Sequence, residues 1–299
     1  MVSHPVLVVG SIAIDWLEFS DGRQDQVVGG SATYFTLAAS LFAPVHVVGV
    51  VGSDFPEEAM DVFRKHGANL DDLQVVQGKT FRWGGRYGAD LESRTTLFTE
   101  LGVFEDFQPL LSPENRRCPV IFLGNIQPSL QLKVLDQAEH PKKQVVCDTM
   151  NLWIKTARND LLRVLERVDV LLLSEREAVL LTDVTDPAHA GDRIRDMGPS
   201  TVVVKRGHLG SVMVTESGAI RAGVFPVPDV VDPTGAGDSF AGGFVGTLAG
   251  GSSLAEALLC GSAVASYCVE GFGTAGLETL SRSHVSHRMD VIRERSKLP

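Results

Sequence analysis

The sequence predicts an α/β fold: a three-layer α/β/α sandwich with a mainly parallel central sheet and a small β-sheet lid. Three observations support this prediction. The chain contains short apolar runs without alternation, helical patterns between those runs, and two polar, glycine-containing stretches that interrupt the series. Unalternating apolar runs are typical of strands that are buried on both faces of a parallel sheet. Strands that alternate with helices indicate a layered α/β architecture.

The elements follow one another in a regular order along the chain. The predicted strands are 6–9, 45–51, 120–123, 145–147, 168–173 and 201–204. The predicted helices are 32–42, 55–66, 129–139, 157–167, 175–181 and 188–197. A short β-meander is expected from 212 to 226, and two long apolar segments follow at 236–249 and 254–269. We expect one domain over residues 1–299.

Two stretches, at about 16–28 and 80–98, break this alternation. Polar, aromatic and glycine residues alternate there as they do in β-hairpins. If the stretches pair, they form a lid over the carboxyl ends of the parallel strands, where ligands of open α/β sheets bind. The alternative is a surface hairpin that serves only in dimer contacts.

Composition narrows the classes of function. The chain has 27 basic and 37 acidic residues, a net charge of −10, so nucleic acid is not expected as a partner. An anionic small ligand would need a local pocket of backbone N–H groups or a bound cation. No apolar run reaches the ~18 to 20 residues of a membrane span, and the N-terminus lacks a signal peptide's basic flank. We therefore expect a cytoplasmic protein whose four scattered cysteines are buried thiols.

The strongest chemical signal is the segment DPTGAGD, residues 232–238. Gly235 and Gly237 allow a ligand to approach the backbone closely, and an apolar helical pattern begins directly after them. Their N–H groups are therefore expected at a helix N-terminus, where they form an anion hole. Asp238 falls in the first helical turn. It is either a general base that accepts a hydroxyl proton or a carboxylate that only complements the helix dipole.

The longer string DPTGAGDSFAGGF, residues 232–244, resembles the C-terminal signature of the ribokinase-like (PfkB) carbohydrate kinase family. VVGSIAID at 8–15 and VGGSATYFTLAA at 28–39 resemble the N-terminal segments of that family, so the resemblance covers nearly the whole chain. It implies a ribokinase-like fold and ATP-dependent transfer of a phosphoryl group to a hydroxyl of a small sugar or sugar derivative.

The resemblance also implies roles for individual residues. Asp238 would be the catalytic base, and Asp15 would hold substrate hydroxyls. The anion-hole amides would come from Gly235, Ala236 and Gly237. The glycine pair Gly29 and Gly30 would form the lid hinge and the substrate wall.

Ser174 and Glu177 stand where the family usually has Asn-x-x-Glu. In the family this glutamate helps to organise Mg²⁺ and its waters near the phosphates, and serine can still hydrogen-bond a water or a phosphate oxygen. We therefore expect Ser174 to alter the detail of that site and not to abolish activity. The alternative is an ordinary acidic first turn of a helix.

The segment KRGHLG, residues 205–210, corresponds to the family's nucleotide loop, with Lys205 able to meet a phosphate and Gly207 and Gly210 at the expected places. A basic turn without a ligand is the alternative. The resemblance further suggests a site for a monovalent cation such as K⁺ at Asp232 and Thr234. Backbone carbonyls of 270–273 would complete it, and Gly273 is also predicted to bind the nucleotide.

The sequence leaves open which molecule accepts the phosphoryl group. Tyr34 replaces the asparagine that sugar-specific members carry, and Trp83 lies among other aromatic residues of the predicted lid. These rings suit stacking on a base or, alternatively, packing within the lid. Asn125 follows a strand and is a further candidate for substrate binding. A sugar kinase is the first hypothesis, a nucleoside kinase of the adenosine-kinase type the second, and a non-catalytic sensor the third. A homodimer through the lid is also expected, because its edges expose unpaired backbone groups.

Overall fold

The computed structural model describes residues 3–91 and 93–296. Of the domain predicted over 1–299, residues 1, 2 and 297–299 lie outside this part, as does position 92 of the predicted lid. The strands are β1 Val6–Val9, β2 Ala13–Phe19, β3 Gln24–Gly29, β4 Val45–Gly52, β5 Asn69–Val76, β6 Phe81–Tyr87, β7 Arg94–Glu100, β8 Val120–Leu123, β9 Gln144–Asp148, β10 Val170–Ser174, β11 Thr201–Lys205, β12 Ser211–Thr215 and β13 Gly218–Ala222. The helices are α1 Ser31–Ala39, α2 Glu57–Lys65, α3 Pro128–Gln137, α4 Asn151–Thr156, α5 Arg158–Leu165, α6 Glu175–Thr182, α7 Pro187–Arg195, α8 Ala236–Ala249, α9 Leu254–Cys268, α10 Ala275–Glu278 and α11 Arg282–Arg295.

A large sheet forms the centre of the molecule, in the order β13-β12-β11-β10-β9-β8-β1-β4-β5. The strands from β11 to β5 are parallel, and β12 and β13 add an antiparallel hairpin at one edge. Parallel strands need crossovers, and the helices between successive strands provide them. The predicted architecture is confirmed.

The sheet is buried on both faces, which explains its unalternating apolar runs. Val6 and Val8 of β1 belong to one hydrophobic cluster, together with residues of α1, α8 and α9. Leu7 and Val9 belong to a second cluster, which includes residues of α3, α5 and α7. Because successive side chains of a strand point to opposite faces, two clusters require helices on both sides.

A second sheet has four strands in the order β3-β2-β6-β7, and we refer to these strands as the lid sheet. The hairpins β2–β3 and β6–β7 are antiparallel, and they join through a parallel pairing of β2 with β6. The two stretches that break the alternation in the sequence therefore pair with each other. Phe19 of the lid sheet stacks on Tyr87 and contacts Phe272, so the inner face of this sheet packs against the C-terminal half of the chain.

The sequence patterns do not predict β5 and α11. β5 is a half-exposed edge strand with the sequence NLDDLQVV, so it lacks the apolar run that marks the other parallel strands. α11 lies near the C-terminus and buries only three of its side chains, Val285, Arg288 and Ile292. Both elements owe their conformation to packing against the central fold.

None of the helices that the structure describes is long and apolar enough to cross a membrane. All four cysteines are buried and carry free thiols.

Candidate active site

A cavity of about 750 Å³ opens beside the carboxyl ends of the central strands. Asp148, Ser174 and Lys205 are the last residues of β9, β10 and β11, and all three line it. The opposite wall is formed by the N-terminus of α8 and by residues of the lid sheet. The cavity therefore lies at the edge where open α/β sheets bind their ligands.

The loop before α8 forms one end of the cavity. Gly235 caps the helix in the left-handed conformation, with φ of 75°. A Cβ atom there would lie 2.2 Å from the ring of Tyr34, so both the conformation and the space require glycine. The N–H of Ala236 donates to the carbonyl of Pro233 at 3.3 Å. For the N–H groups of Gly235 and Gly237 we find no protein acceptor among the described residues, so both are available to an anion at this helix N-terminus.

Asp238 lies in the first turn of α8 and lines the cavity. Burial, followed by the negative charge of Asp148, raises the pKa of its carboxyl to about 7, although Lys205 and Arg94 oppose this increase. A carboxyl with this pKa can gain and lose a proton near neutral pH. This property is typical of a general base and is not needed in a carboxylate that only caps a helix.

Asp15, from the opposite end of the chain, lies close to Asp238. Its carboxylate covers Gly29, where a Cβ atom would lie 1.9 Å from Oδ2, and it accepts the N–H of Gly30. The pKa of Asp15 is raised to about 7, chiefly by burial and also by the charge of Asp238, while Arg94 opposes this increase. The glycine pair therefore leaves room for this carboxylate beside the predicted base.

Lys205 and Asp148 form a buried ion pair, with 2.7 Å between Nζ and Oδ2. A Cβ atom on Gly237 would lie 3.3 Å from the same Nζ, so the ammonium group lies directly beside the anion hole. Asp148 and then Glu177 raise the pKa of Lys205 against the effect of burial. The site therefore contains a fixed cation where a phosphate bound to the helix N-terminus would lie.

Ser174 and Glu177 form a capping box at the start of α6. The Glu177 carboxylate accepts the N–H of Ser174 at 2.7 Å, and Ser174 Oγ accepts the N–H of Glu177 at 3.3 Å. Both residues still line the cavity. Burial and the charge of Asp148 raise the pKa of Glu177. Ser174 therefore keeps the glutamate in place where the family has asparagine.

Metal ligation by protein side chains alone is not supported in residues 3–91 and 93–296. They contain no group of three His, Cys, Asp or Glu side chains arranged to hold an ion. A site with few carboxylates fits Mg²⁺, because this ion usually keeps several waters and is bound by one or two carboxylates together with substrate phosphates.

Asp232 clamps the loop before α8. One carboxylate oxygen accepts the N–H of Thr234 and the other accepts the N–H of Gly273, both at 2.9 Å. Burial raises the pKa of Asp232. Among residues 3–91 and 93–296, the buried Tyr34 hydroxyl has no hydrogen-bond partner. The charge of Asp232 contributes to raising the Tyr34 pKa, behind burial and Cys268. The predicted cation-binding residues are thus brought together, and the cation itself remains a prediction.

The remaining cavity wall suits a nucleotide base. Gly207 and Gly210 of the predicted nucleotide loop line the cavity, and both have positive φ. Beyond them lie Phe225 and residues of α9, including Ser266, which the sequence patterns do not single out. Arg288 of α11 supports this wall from behind, since its guanidinium lies 4.2 Å from the Phe225 ring centre and donates to Ser266 Oγ.

The predicted acceptor residues are placed unequally. Asn125 lines the cavity, and Trp153 Nε1 donates to its side-chain oxygen at 2.9 Å. Tyr34 is only 1% exposed and lies beneath Gly235, outside the cavity lining. Trp83 packs with the small apolar cluster of the lid sheet. For Trp83 the geometry therefore matches the alternative of packing within the lid.

Two further lid residues line the cavity: Tyr87, one of the aromatic residues of the predicted lid and pocket wall, and Arg94, which the sequence patterns do not assign to the site. Tyr87 hydrogen-bonds Thr234 Oγ1 at 2.8 Å, and Arg94 faces Asp15 and Asp238. The sequence signal for Arg94 is its position in the predicted lid, where it is the basic residue of the segment RTTLFTE at 94–100.

Comparisons with known proteins agree with this geometry. The sequence model described as "pfkB family carbohydrate kinase" matches residues 3–280. A cytidine kinase from Thermococcus kodakarensis is 31% identical over 86% of this chain and 92% of its own length. A nucleoside kinase from Methanothermobacter thermautotrophicus is 25% identical over 90% of both chains. A putative ribokinase II from E. coli, solved with ATP and Mg²⁺, has a TM-score of 0.81 at 20% identity and covers 98% of this chain and 99% of its own.

Proposed function

Because the chain belongs to the pfkB family of carbohydrate kinases, and is thus a phosphotransferase for a sugar or nucleoside hydroxyl, we propose that its reaction is transfer of the ATP γ-phosphate to a nucleoside. The observation that carries the chemistry is the meeting of Asp15 and Asp238 beside the free amides at the start of α8. The observation that carries the acceptor class is the similarity to two nucleoside kinases over about nine-tenths of their length.

In this proposal Asp15 and Asp238 bracket the acceptor hydroxyl. Asp15 accepts a hydrogen bond from the sugar, and Asp238 takes the proton from the attacking hydroxyl. The acceptor oxygen forms a bond to the γ-phosphorus while the bond from that phosphorus to the ADP oxygen breaks. The proton remains on Asp238 until product leaves.

The protein stabilises the charge of the migrating group through fixed dipoles and a cation. The amides of Gly235 and Gly237 stand at the start of α8, and the ammonium of Lys205 lies beside Gly237, so we assign all three to the same phosphoryl group. The Ala236 amide, which the family resemblance also assigns to this hole, is partly engaged by Pro233. Gly207, Gly210 and Gly273 are proposed to contact the nucleotide, and Asp232 and Thr234 to face a monovalent cation such as K⁺.

Mg²⁺ bound with ATP would neutralise part of the phosphate charge. Glu177 is the residue we assign to its waters, since its carboxylate lines the cavity next to Asp148. Ser174 keeps Glu177 in this orientation through the capping box.

The lid sheet is proposed to close over the acceptor, with Gly29 and Gly30 as the hinge and Asn125 as the opposite wall. Closure excludes water, so ATP hydrolysis without acceptor stays slow. Tyr34 supports Gly235 from below, and Trp83 supports the lid, so neither is expected to stack on a base. The outer face of the lid sheet is proposed to pair with a second copy of the chain.

The test of the proposed function is ADP release from Mg·ATP in the presence of single acceptors. The panel contains cytidine, uridine, adenosine, inosine, ribose, fructose and a sugar acid, and mass spectrometry identifies the product. We expect a nucleoside-dependent signal, strongest with one base class, and a nucleoside monophosphate as product. A signal only with free sugars would show that the protein is a sugar kinase and not a nucleoside kinase. ATP binding without turnover on any acceptor would favour a non-catalytic sensor.

A further inference from the structure

Asn125 lines the cavity on the side away from the predicted nucleotide loop. It follows β8 and is half-buried. The nucleotide loop follows β11, and β10 and β9 lie between β11 and β8 in the central sheet. Because neighbouring strands lie ~4.8 Å apart, the ends of β8 and β11 are roughly 14 Å apart along the sheet. Asn125 is therefore placed to contact the acceptor and not the nucleotide.

The backbone that leads to Asn125 is held by its neighbours. The N–H of Gly124 donates to the carbonyl of Val9 at 2.8 Å. The Gln131 side chain donates from Nε2 to the carbonyls of Gly124 at 3.0 Å and Asp148 at 3.2 Å, so it joins the ends of β8 and β9. A Cβ atom on Gly124 would lie 2.9 Å from the Val9 carbonyl oxygen, so the packing here is tight. The Asn125 side chain therefore projects into the cavity from a fixed point.

Two residues beyond β9 determine which way the Asn125 amide points. Trp153 of α4 donates from Nε1 to Asn125 Oδ1 at 2.9 Å. An indole N–H can only donate, so the amide atom that it meets is the oxygen. Asn125 Nδ2 lies 3.2 Å from the sulfur of Met150, which is a weak acceptor, and we find no stronger one for it in the part of the chain that the structure describes. The amide oxygen is thus engaged by a strong donor, whereas the amide N–H groups remain available to a ligand.

This orientation makes the cavity wall selective. When an acceptor molecule displaces water from the half-buried amide, an N–H group left without a partner costs free energy. A carbonyl oxygen on a nucleobase would satisfy it, because such an oxygen projects beyond the ring and reaches a fixed donor more readily than a ring nitrogen does. Cytosine, uracil and hypoxanthine each carry a carbonyl group, and adenine carries none.

We propose that Asn125 determines the acceptor specificity by donating its amide N–H to a carbonyl oxygen of the nucleobase, and that Trp153 is the positioning residue that fixes the amide in this orientation. This inference rests on the proposed function and narrows its substrate class to nucleosides whose base carries a carbonyl group. A site built around a fixed donor discriminates against an analogue that lacks the matching acceptor, because the donor is then left unpaired.

The experiment measures the kinetics of cytidine, inosine and purine riboside, which differs from inosine by the loss of the carbonyl group at C6. Asn125→Leu removes the amide at similar volume. Asn125→Asp is a second variant, which keeps an oxygen for Trp153 and has no N–H to donate. We expect both variants to raise KM for cytidine and inosine by about 10- to 100-fold, the usual effect of leaving a hydrogen-bonding group unpaired. For Asn125→Leu, kcat and the KM values for ATP and purine riboside should change less than about threefold.

Trp153→Phe tests the positioning role, since it keeps an aromatic ring in α4 and removes the N–H that holds the amide. We expect KM for cytidine and inosine to rise about three- to tenfold at unchanged kcat, and the preference for inosine over purine riboside to shrink. In an Asn125→Leu background the same substitution should change neither, because the amide is already absent. The control is Trp16→Phe, since Trp16 Nε1 donates to Glu18 at 3.0 Å, outside the cavity lining. A structural role alone would lower the thermal midpoint of Trp153→Phe and leave the preference between the two nucleosides intact.

Two results would overturn the inference: a wild-type kcat/KM for purine riboside that equals those for inosine and cytidine, or an Asn125→Leu variant whose KM rises equally for nucleosides with and without a carbonyl group. Failure of the proposed function is distinguishable, because the wild-type protein would then release no ADP with any nucleoside.

Discussion

At the scale of single residues, the site depends on two aspartates that the fold brings together from opposite ends of the chain. Asp15 and Asp238 both have pKa values of about 7, and burial is the first cause for each. Asp15 is accommodated by a glycine pair, and Asp238 is influenced by Asp148 and Lys205. The same low-dielectric surroundings that raise these pKa values also strengthen every hydrogen bond that the carboxylates accept from a substrate hydroxyl.

Gly235 gives a sharp prediction at this scale. Gly235→Ala places a methyl group 2.2 Å from the Tyr34 ring on a residue with φ of 75°, so the loop must move away from its present position. We expect kcat to fall at least ~10²-fold because the amides no longer face the phosphoryl group. Steady-state kinetics with ATP and the preferred acceptor measures this.

The matched control is Gly251→Ala. Gly251 has φ of 83°, and a Cβ atom there would meet nothing within 4 Å. This variant should lose roughly 1–2 kcal/mol of stability from backbone strain and keep its kcat. Equal kinetic losses in both variants would mean that strain alone, and not the anion hole, explains the effect.

Sequence motifs identify residues better than they identify orientation. Asp15, Asp238 and Lys205 belong to uninterrupted motifs, so their place could be predicted. Tyr34 has an aromatic ring in a segment that contributes to the site, yet its ring points beneath Gly235. Arg94 belongs to no motif, and only the pairing of the two hairpins brings it to the cavity. These two cases depend on tertiary packing, which local patterns do not encode.

At the scale of elements, the lid sheet has two different faces. Its inner face carries the cluster of Leu17, Phe19 and Tyr87 against the central fold. Its outer face has a groove of about 240 Å³ lined by Ile14, Trp16, Gln26, Arg82 and Phe98. Phe98 is 37% exposed on the edge strand β7, which has a free row of backbone groups. An exposed apolar face beside an open edge favours association.

We therefore expect a homodimer that Phe98→Glu converts to a monomer, because the new charge would be buried at the interface. Sedimentation velocity measures the mass. Leu110→Glu is the control, since Leu110 is 67% exposed in the segment that follows the lid sheet. A wild-type monomer at micromolar concentration would contradict the proposal, and so would a dimer that survives Phe98→Glu.

Periodicity predicts the central elements well because burial on both faces leaves a clear signal. β10 and β11 appear as apolar runs, and α8 and α9 follow their predicted bounds within one residue. β5 does not appear, because an edge strand with one solvated side can carry the polar residues of NLDDLQVV. Periodicity also does not predict the parallel pairing of β2 with β6, since this pairing joins segments far apart in the sequence.

At the scale of the whole molecule, the parallel sheet aligns the carboxyl ends of β8 to β11 along one edge, and α8 directs its N-terminus at that edge. The net charge of −10 opposes an incoming nucleotide, so affinity for ATP must come from this local arrangement. In the proposed function, Lys205 and the amides of Gly235 and Gly237 supply this attraction. The central sheet therefore positions carboxylates at the cavity, and the lid sheet adds Arg94 to the cavity wall.

The most direct test of the central claim is the turnover of Asp238→Asn with Mg·ATP and the preferred acceptor, measured together with nucleotide binding across pH. We expect wild-type kcat/KM for the acceptor to fall as the pH is lowered below about 7, because Asp238 and Asp15 are then protonated. We expect Asp238→Asn to bind ATP normally and to lose at least ~10²-fold in kcat. Near-normal turnover of Asp238→Asn with the wild-type pH profile would contradict the assignment of Asp238 as the base.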